Sequence, residues 1–156
     1  MGKKILIAMD DSDNAMRAVE FAAGLFDKDS YITLLSILPD YKSIREFDSP
    51  ALTPTFQRER SAFSTIESQK KDILKEALRK ARKKLLSAGF AEDRVQWKIQ
   101  PLEKGIARDI IRQADSGFDA VVLGKRGLRA SSAFFFGSVS QKVLQGVENA
   151  SLIVVS

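Results

Sequence analysis

The residues of this chain best suited to chemistry are Gly124-Lys125-Arg126-Gly127 and, after nine intervening residues, Gly137-Ser138. The first group begins where the apolar run Asp119–Leu123 ends. The second opens a helical pattern that continues from Ser138 to Val147. Glycine lets backbone N–H groups approach an anion with no Cβ in the way. A helix N-terminus adds unpaired N–H donors and the positive end of its dipole. A strand, a glycine turn and a Gly-Ser helix start together make a means of holding phosphates. On spacing alone, the same residues serve equally well as tight turns with Ser138 as an ordinary helix cap.

The composition narrows the chemistry. The chain has no cysteine and no histidine, which excludes disulfides, thiolate nucleophiles, the Ser-His-Asp arrangement and nearly every zinc or iron site. Only carboxylates, lysines or a metal held by oxygen remain for catalysis, so the reading shifts towards binding and no catalytic residue is assigned. Asp10, Asp11 and Asp13 follow the first apolar run. They could form a metal cluster or supply a base. More economically, Asp11 or Ser12 caps the next helix, whose N-terminus the other carboxylates favour. Asp10, at the strand end, is the one assigned to a ligand. The turn after this strand lacks the glycines of the dinucleotide fingerprint, and no Gly-x4-Gly-Lys-Ser/Thr loop occurs, which argues against a nicotinamide dehydrogenase and a motor-type NTPase.

The elements that must position these residues alternate. Strands are expected at Lys4–Met9, Tyr31–Leu38, Val95–Gln100, Asp119–Leu123 and Ser151–Val155. Helices are expected at Ser12–Phe26, Glu59–Ser87, Ile106–Ala114 and Ser138–Val147, with an irregular excursion from Pro39 to Arg58. Such alternation means an open α/β fold with a parallel sheet, Rossmann-like, covered by helices on both faces. In the long helix, Phe63, Ile66, Ile73, Leu74, Ala77, Leu78, Ala81 and Leu85 are expected to share the core face. Trp97 alternates with Val95 and Ile99 and reads as core, while Phe134–Phe136 read as packing for the segment before the last helix. The length of 156 residues suits one domain, 1–156. The apolar start stops at Asp10, too soon for a signal-peptide core, and no run can span a bilayer; a cytoplasmic protein with no membrane partner is expected. The net charge of +5 suits phosphate-bearing partners. Many of the cations fall in 70–84. That stretch could grip nucleic acid, but Asp72 and Glu76 interrupt it, and a solvated helix face is the better reading.

The Gly-x2-Gly-x9-Gly-Ser pattern, placed between a strand and a helix in a chain whose first strand ends in Asp10, resembles the universal stress protein family and its ATP-binding branch. The resemblance extends over Lys4–Ser12, Leu34–Ile37, Gly105–Ile110 and Ala150–Val155. It implies a five-stranded parallel sheet of order 3-2-1-4-5, of the adenine nucleotide alpha-hydrolase-like kind, and a homodimer paired through 151–155. It also implies bound ATP, ADP or AMP, with magnesium or manganese carried mainly by phosphate oxygens. Ala8, Asp10 and Ile37 would line the adenine pocket. Leu123, Gly124 and Arg126 would approach the nucleoside, with Lys125 beside them at the rim. Gly127, Gly137, Ser138, Val139 and Ser140 would hold phosphates, and Arg129 could reach the last of them. The chain departs from the pattern at Lys125, at Ser36 where many members carry histidine, and after Gly105, where a frequent proline is missing. The implied function is a nucleotide-dependent stress-response module recognised by an unidentified protein partner. A slow Mg-dependent ATPase is the alternative, and nucleic-acid binding through 70–84 ranks below both.

Overall fold

A computed structural model describes residues 2–39, 54–125 and 133–156, with side chains of the two helices concerned described from 65 and from 138 onward. The elements are β1 (Lys4–Ala8), α1 (Asp13–Leu25), β2 (Tyr31–Leu38), α2 (Pro54–Ser87), a 3-10 turn (Glu92–Arg94) and β3 (Val95–Pro101). They continue with α3 (Ile106–Ala114), β4 (Ala120–Gly124), α4 (Ala133–Gly146) and β5 (Ser151–Val155). The five strands form one parallel sheet of order β3-β2-β1-β4-β5, as the alternation and the family resemblance required.

β1 is central because it can be buried on both faces. Ile5 and Ile7 point to one side and Leu6 and Ala8 to the other, and all four are fully enclosed. The Ile5/Ile7 side packs on α1 through Ala15, Ala18, Val19 and Ala22, and on α2 through Leu78, Ala81 and Leu85. The Leu6/Ala8 side packs on α3 through Ala107 and Ile110, and on α4 through Val139 and Val143. Two helices per face follow from the topology. A right-handed crossover leaving β1 in one direction and β4 in the other places its helices on opposite sides. Trp97 and Ile99 pack on the α1–α2 side, as their alternation indicated.

Three features differ most from the sequence expectation. The long helix starts at Pro54, so 54–58 are helical and only 40–53 of the expected excursion lie outside the described residues. Proline reads as a breaker, but at the first helical position its missing N–H costs nothing. Ile66 and Ile73, placed on the core face by periodicity, are 44% and 49% exposed. A helix of 34 residues rises about 50 Å, whereas strands of five to eight residues reach less than about 27 Å. Ile66 therefore lies towards the end that runs past the sheet, whereas Ile73, next to Leu74 at 2% exposure, is turned to the edge of the buried stripe. The third difference, the start of α4 at Ala133 rather than Ser138, bears on the site.

The basic side of α2 is largely a solvated face with local partners. Lys70 pairs with Asp11 at 3.0 Å, Lys84 pairs with Glu20, and Arg82 donates to the Val95 carbonyl at 3.2 Å. Leu78, fully buried between α1 and the sheet, is the keystone of that layer. Leu78→Ala should lower unfolding free energy by about 2–5 kcal/mol, the cost of a lost side chain and the cavity left behind. Urea denaturation measures it, and a loss below about 1 kcal/mol would contradict this packing.

Candidate functional site

The winding direction reverses between β1 and β4, and in open α/β sheets this is where a crevice opens beyond the carboxyl ends of the strands. Ala8 pairs in register with Leu35 on one side and Leu123 on the other. Ala8, Ile37, Leu123 and Val139 belong to a single buried cluster on the α3–α4 side. The structure thus brings together four of the residues singled out from the sequence as an apolar floor.

Beyond the ladder, β1 continues as a braced extension. The Met9 N–H donates to the Leu35 carbonyl at 2.8 Å, and the buried Ser36 hydroxyl donates to the Met9 carbonyl at 2.8 Å. The work of this hydroxyl is to fasten β2 to the chain leading into Asp10. Asp10 is 5% exposed, and its Oδ1 accepts the Ser12 N–H at 2.9 Å. Burial pushes its carboxyl above the ordinary value. The Ser12 hydroxyl and amide oppose that rise, Asp11 adds to it and Lys70 opposes it. Ser12 is the helix cap: its Oγ accepts the Ala15 N–H at 3.1 Å. Asp11 is taken by Lys70. Among the described residues no group of three His, Cys, Asp or Glu side chains could hold a metal ion.

Gly124 ends β4 against the first turn of α1. A Cβ there would lie 3.0 Å from the Asn14 carbonyl oxygen, so the residue serves close packing between strand and helix. Lys125 donates its N–H to the Val155 carbonyl at 2.7 Å. Its own carbonyl lies 3.5 Å from the Ser140 hydroxyl, at the outer limit of a hydrogen bond. Arg126, Gly127 and Arg129 lie outside the described residues, as do the side chains of Phe134–Phe136.

The expected helix start at Gly137-Ser138 needs correction. With α4 beginning at Ala133, Gly137, Ser138 and Val139 sit a turn or more inside the helix. Their N–H groups face carbonyls four residues back, and the open donors belong to the turn before them. A serine after a glycine reads as a cap, but it is equally acceptable as an exposed helical residue, which Ser138 is.

One residue escaped the sequence reading. Gln100 pairs in register with Ile37, and among the described residues its buried Nε2 has no hydrogen-bond partner. An unpaired buried amide costs about 1–3 kcal/mol, which marks this corner as unsatisfied. On an alternating strand a glutamine reads simply as solvent-facing.

These features define an open α/β protein wound in two directions from β1 and β4. The sequence profile described as the universal stress protein family matches residues 1–155, and the chain belongs to that family. It is 33% identical over 157 residues to universal stress protein Sll1388 of Synechocystis sp. (strain ATCC 27184 / PCC 6803 / Kazusa), covering 97% of this chain and 96% of that one. Its fold matches universal stress protein UspA from Lactobacillus plantarum with a TM-score of 0.73 at 19% identity, over 99% of this chain and 97% of the other. It also matches a universal stress protein solved in complex with cAMP, with a TM-score of 0.62 at 16% identity, over 99% and 97% of the two chains.

Asp10 gives the site a pH signature. Its folded value is raised, so the folded chain holds this proton more tightly than the unfolded chain. The stability it contributes is therefore greatest at low pH. That contribution declines as pH rises from the ordinary aspartate value near 3.8 through the raised one. Asp10→Asn keeps an acceptor for the Ser12 N–H and removes the decline. In denaturation series from about pH 3 to pH 7, the variant should gain stability relative to wild type with rising pH. A difference constant across the range would contradict the assignment.

Proposed function

We propose that this protein binds an adenine nucleotide, ATP in the first instance, at the carboxyl edge of β1, β2 and β4, and acts as a nucleotide-dependent regulatory module. The observation that carries the reading is the juxtaposition at the strand reversal. An apolar floor of Ala8, Ile37 and Leu123 lies beside a buried carboxyl at Asp10, with Gly124 and Lys125 leaving β4 at the same edge. An apolar floor suits a purine face, and a few placed polar groups suit its polar edges and the ribose. The family membership supports this, as does the fold's likeness to a protein solved with cAMP.

The phosphates would lie near Gly124, Lys125 and the start of α4. Capture by the amides of Ser138 and Val139 requires α4 to give up the turn Ala133–Gly137. Gly137 makes that release less costly, since glycine inside a helix forfeits about 0.5–1 kcal/mol relative to alanine. Magnesium or manganese would come with the phosphates. A binding module is favoured over a slow ATPase because no histidine is available as a base and Asp10 is already engaged by Ser12. Two chains would pair through β5, the sheet edge, where Val154 is 42% exposed. A cytoplasmic setting and a protein partner that reads nucleotide occupancy complete the proposal.

Native mass measurement of the full chain with millimolar magnesium and ATP tests both parts. The expected species is a dimer carrying one nucleotide per chain. A nucleotide-free chain under these conditions would overturn the ligand assignment, and a nucleotide-bound monomer would overturn the pairing through β5.

A further inference from the structure

A second concavity lies between α3 and α4, with a volume of about 890 Å³. Every charged side chain lining it is basic: Lys104 from the loop before α3, Arg108 from α3 and Lys142 from α4. All three are exposed, and none has an ion pair or hydrogen bond among the described residues. The nearby carboxylates are occupied elsewhere. Glu103 pairs with Arg112 at 2.7 Å. Asp109 is fully buried and accepts the Glu103 N–H at 2.8 Å and the Lys104 N–H at 3.2 Å.

The framework fixes these cations rather than leaving them as scattered surface charge. Asp109 fastens the 103–104 loop back onto its own helix, which sets where Lys104 departs. Gly105 then turns the chain with φ 141°, a conformation in which a side chain would be strained. This delivers Arg108 into the first turn of α3, beside N–H groups for which Gly105 supplies no side-chain cap. On α4, Lys142 follows Ser138 by four residues and shares its face, and both line the groove. Three like charges held without counter-ions in one concavity raise the local concentration of anions, and the +5 net charge reinforces the effect.

We propose that the groove between α3 and α4 binds a polyphosphate chain, and that Lys104, Arg108 and Lys142 thereby make this protein select nucleoside triphosphates over monophosphates. The link to a nucleotide rests on the proposed function, through Ser138, which belongs to both surfaces. Capture of polyphosphate itself does not depend on it. Charge-assisted bonds from lysine and arginine to phosphate oxygens supply the selectivity. Each phosphate beyond the first adds charge that these three cations can meet.

Calorimetry on the full chain with magnesium and ATP, AMP or inorganic tripolyphosphate at fixed ionic strength separates the possibilities. Wild type should bind ATP more tightly than AMP, and tripolyphosphate should compete with ATP. Arg108→Gln combined with Lys142→Gln should weaken ATP and tripolyphosphate by about tenfold and leave AMP unchanged. Lys71→Gln combined with Arg79→Gln makes the same charge change on the exposed side of α2, across the sheet, and should alter neither. Equal losses in the two double variants, or ATP affinity retained in the first, would overturn the proposal. Tripolyphosphate binding that depends on Arg108 and Lys142, with no adenine nucleotide bound, would keep the groove and remove the nucleotide reading. No binding of any of the three would overturn both.

Discussion

The pairing of β1 with β4 is the constraint on which the rest of the structure depends. Ile5–Ala8 lie in register with Ala120–Leu123. The other ends of these strands are locked by the Lys4 and Asp119 main chains, with the Lys4 N–H also donating to Asp119 Oδ2 at 2.7 Å. The chain winds outward from this pair in both directions, through β2 to β3 and through β4 to β5. Handedness then puts α1 and α2 on one face and α3 and α4 on the other. The loops leaving β1 and β4 must therefore part at the carboxyl edge, and a crevice is unavoidable there. Asp10, Gly124 and Lys125 are where they are because of that divergence.

Burial on both sides explains why this edge is stiff and why it is chemically unusual. Ala8 and Leu123 are fully enclosed, and Met9 and Ser36 extend the bracing one step beyond the ladder. Asp10 is held in the protein's low-dielectric border by the same bracing, with its carboxyl biased towards the neutral form. The phosphate end of the proposed site would be built differently. There the groups would be main-chain donors and the cations of the α3–α4 groove, which respond to charge rather than shape. In the proposed complex the two ends would divide recognition between an apolar, hydrogen-bonding half and an electrostatic half.

Much of this was legible from residue order alone, for physical reasons that differ by element. β1, β2 and β4 are continuous apolar runs because both of their faces are covered, and α1 carries its cap and its alanine stripe at helical spacing. What was not legible depended on context. Pro54 and Ser138 each carry two meanings, breaker or first residue, cap or exposed helical position, and only neighbouring structure chooses between them. Ile66 and Ile73 fit the helical period, but Ile66 lies where the helix outruns the sheet and Ile73 is turned to the edge of the buried stripe. Gln100, with its unpaired amide, looks like any outward polar residue until its register with Ile37 is known. The basic groove was equally hidden, since Lys104, Arg108 and Lys142 converge only when α3 and α4 are laid side by side.

The most direct test of the crevice is residue-by-residue amide spectroscopy of the full chain during titration with magnesium and ATP. The account predicts shifts at Asp10, Ile37, Gly124, Lys125, Ser138 and Val139, with little change along the α2 face around Arg79 to Lys83. Shifts confined to α2, or none at millimolar nucleotide, would contradict it.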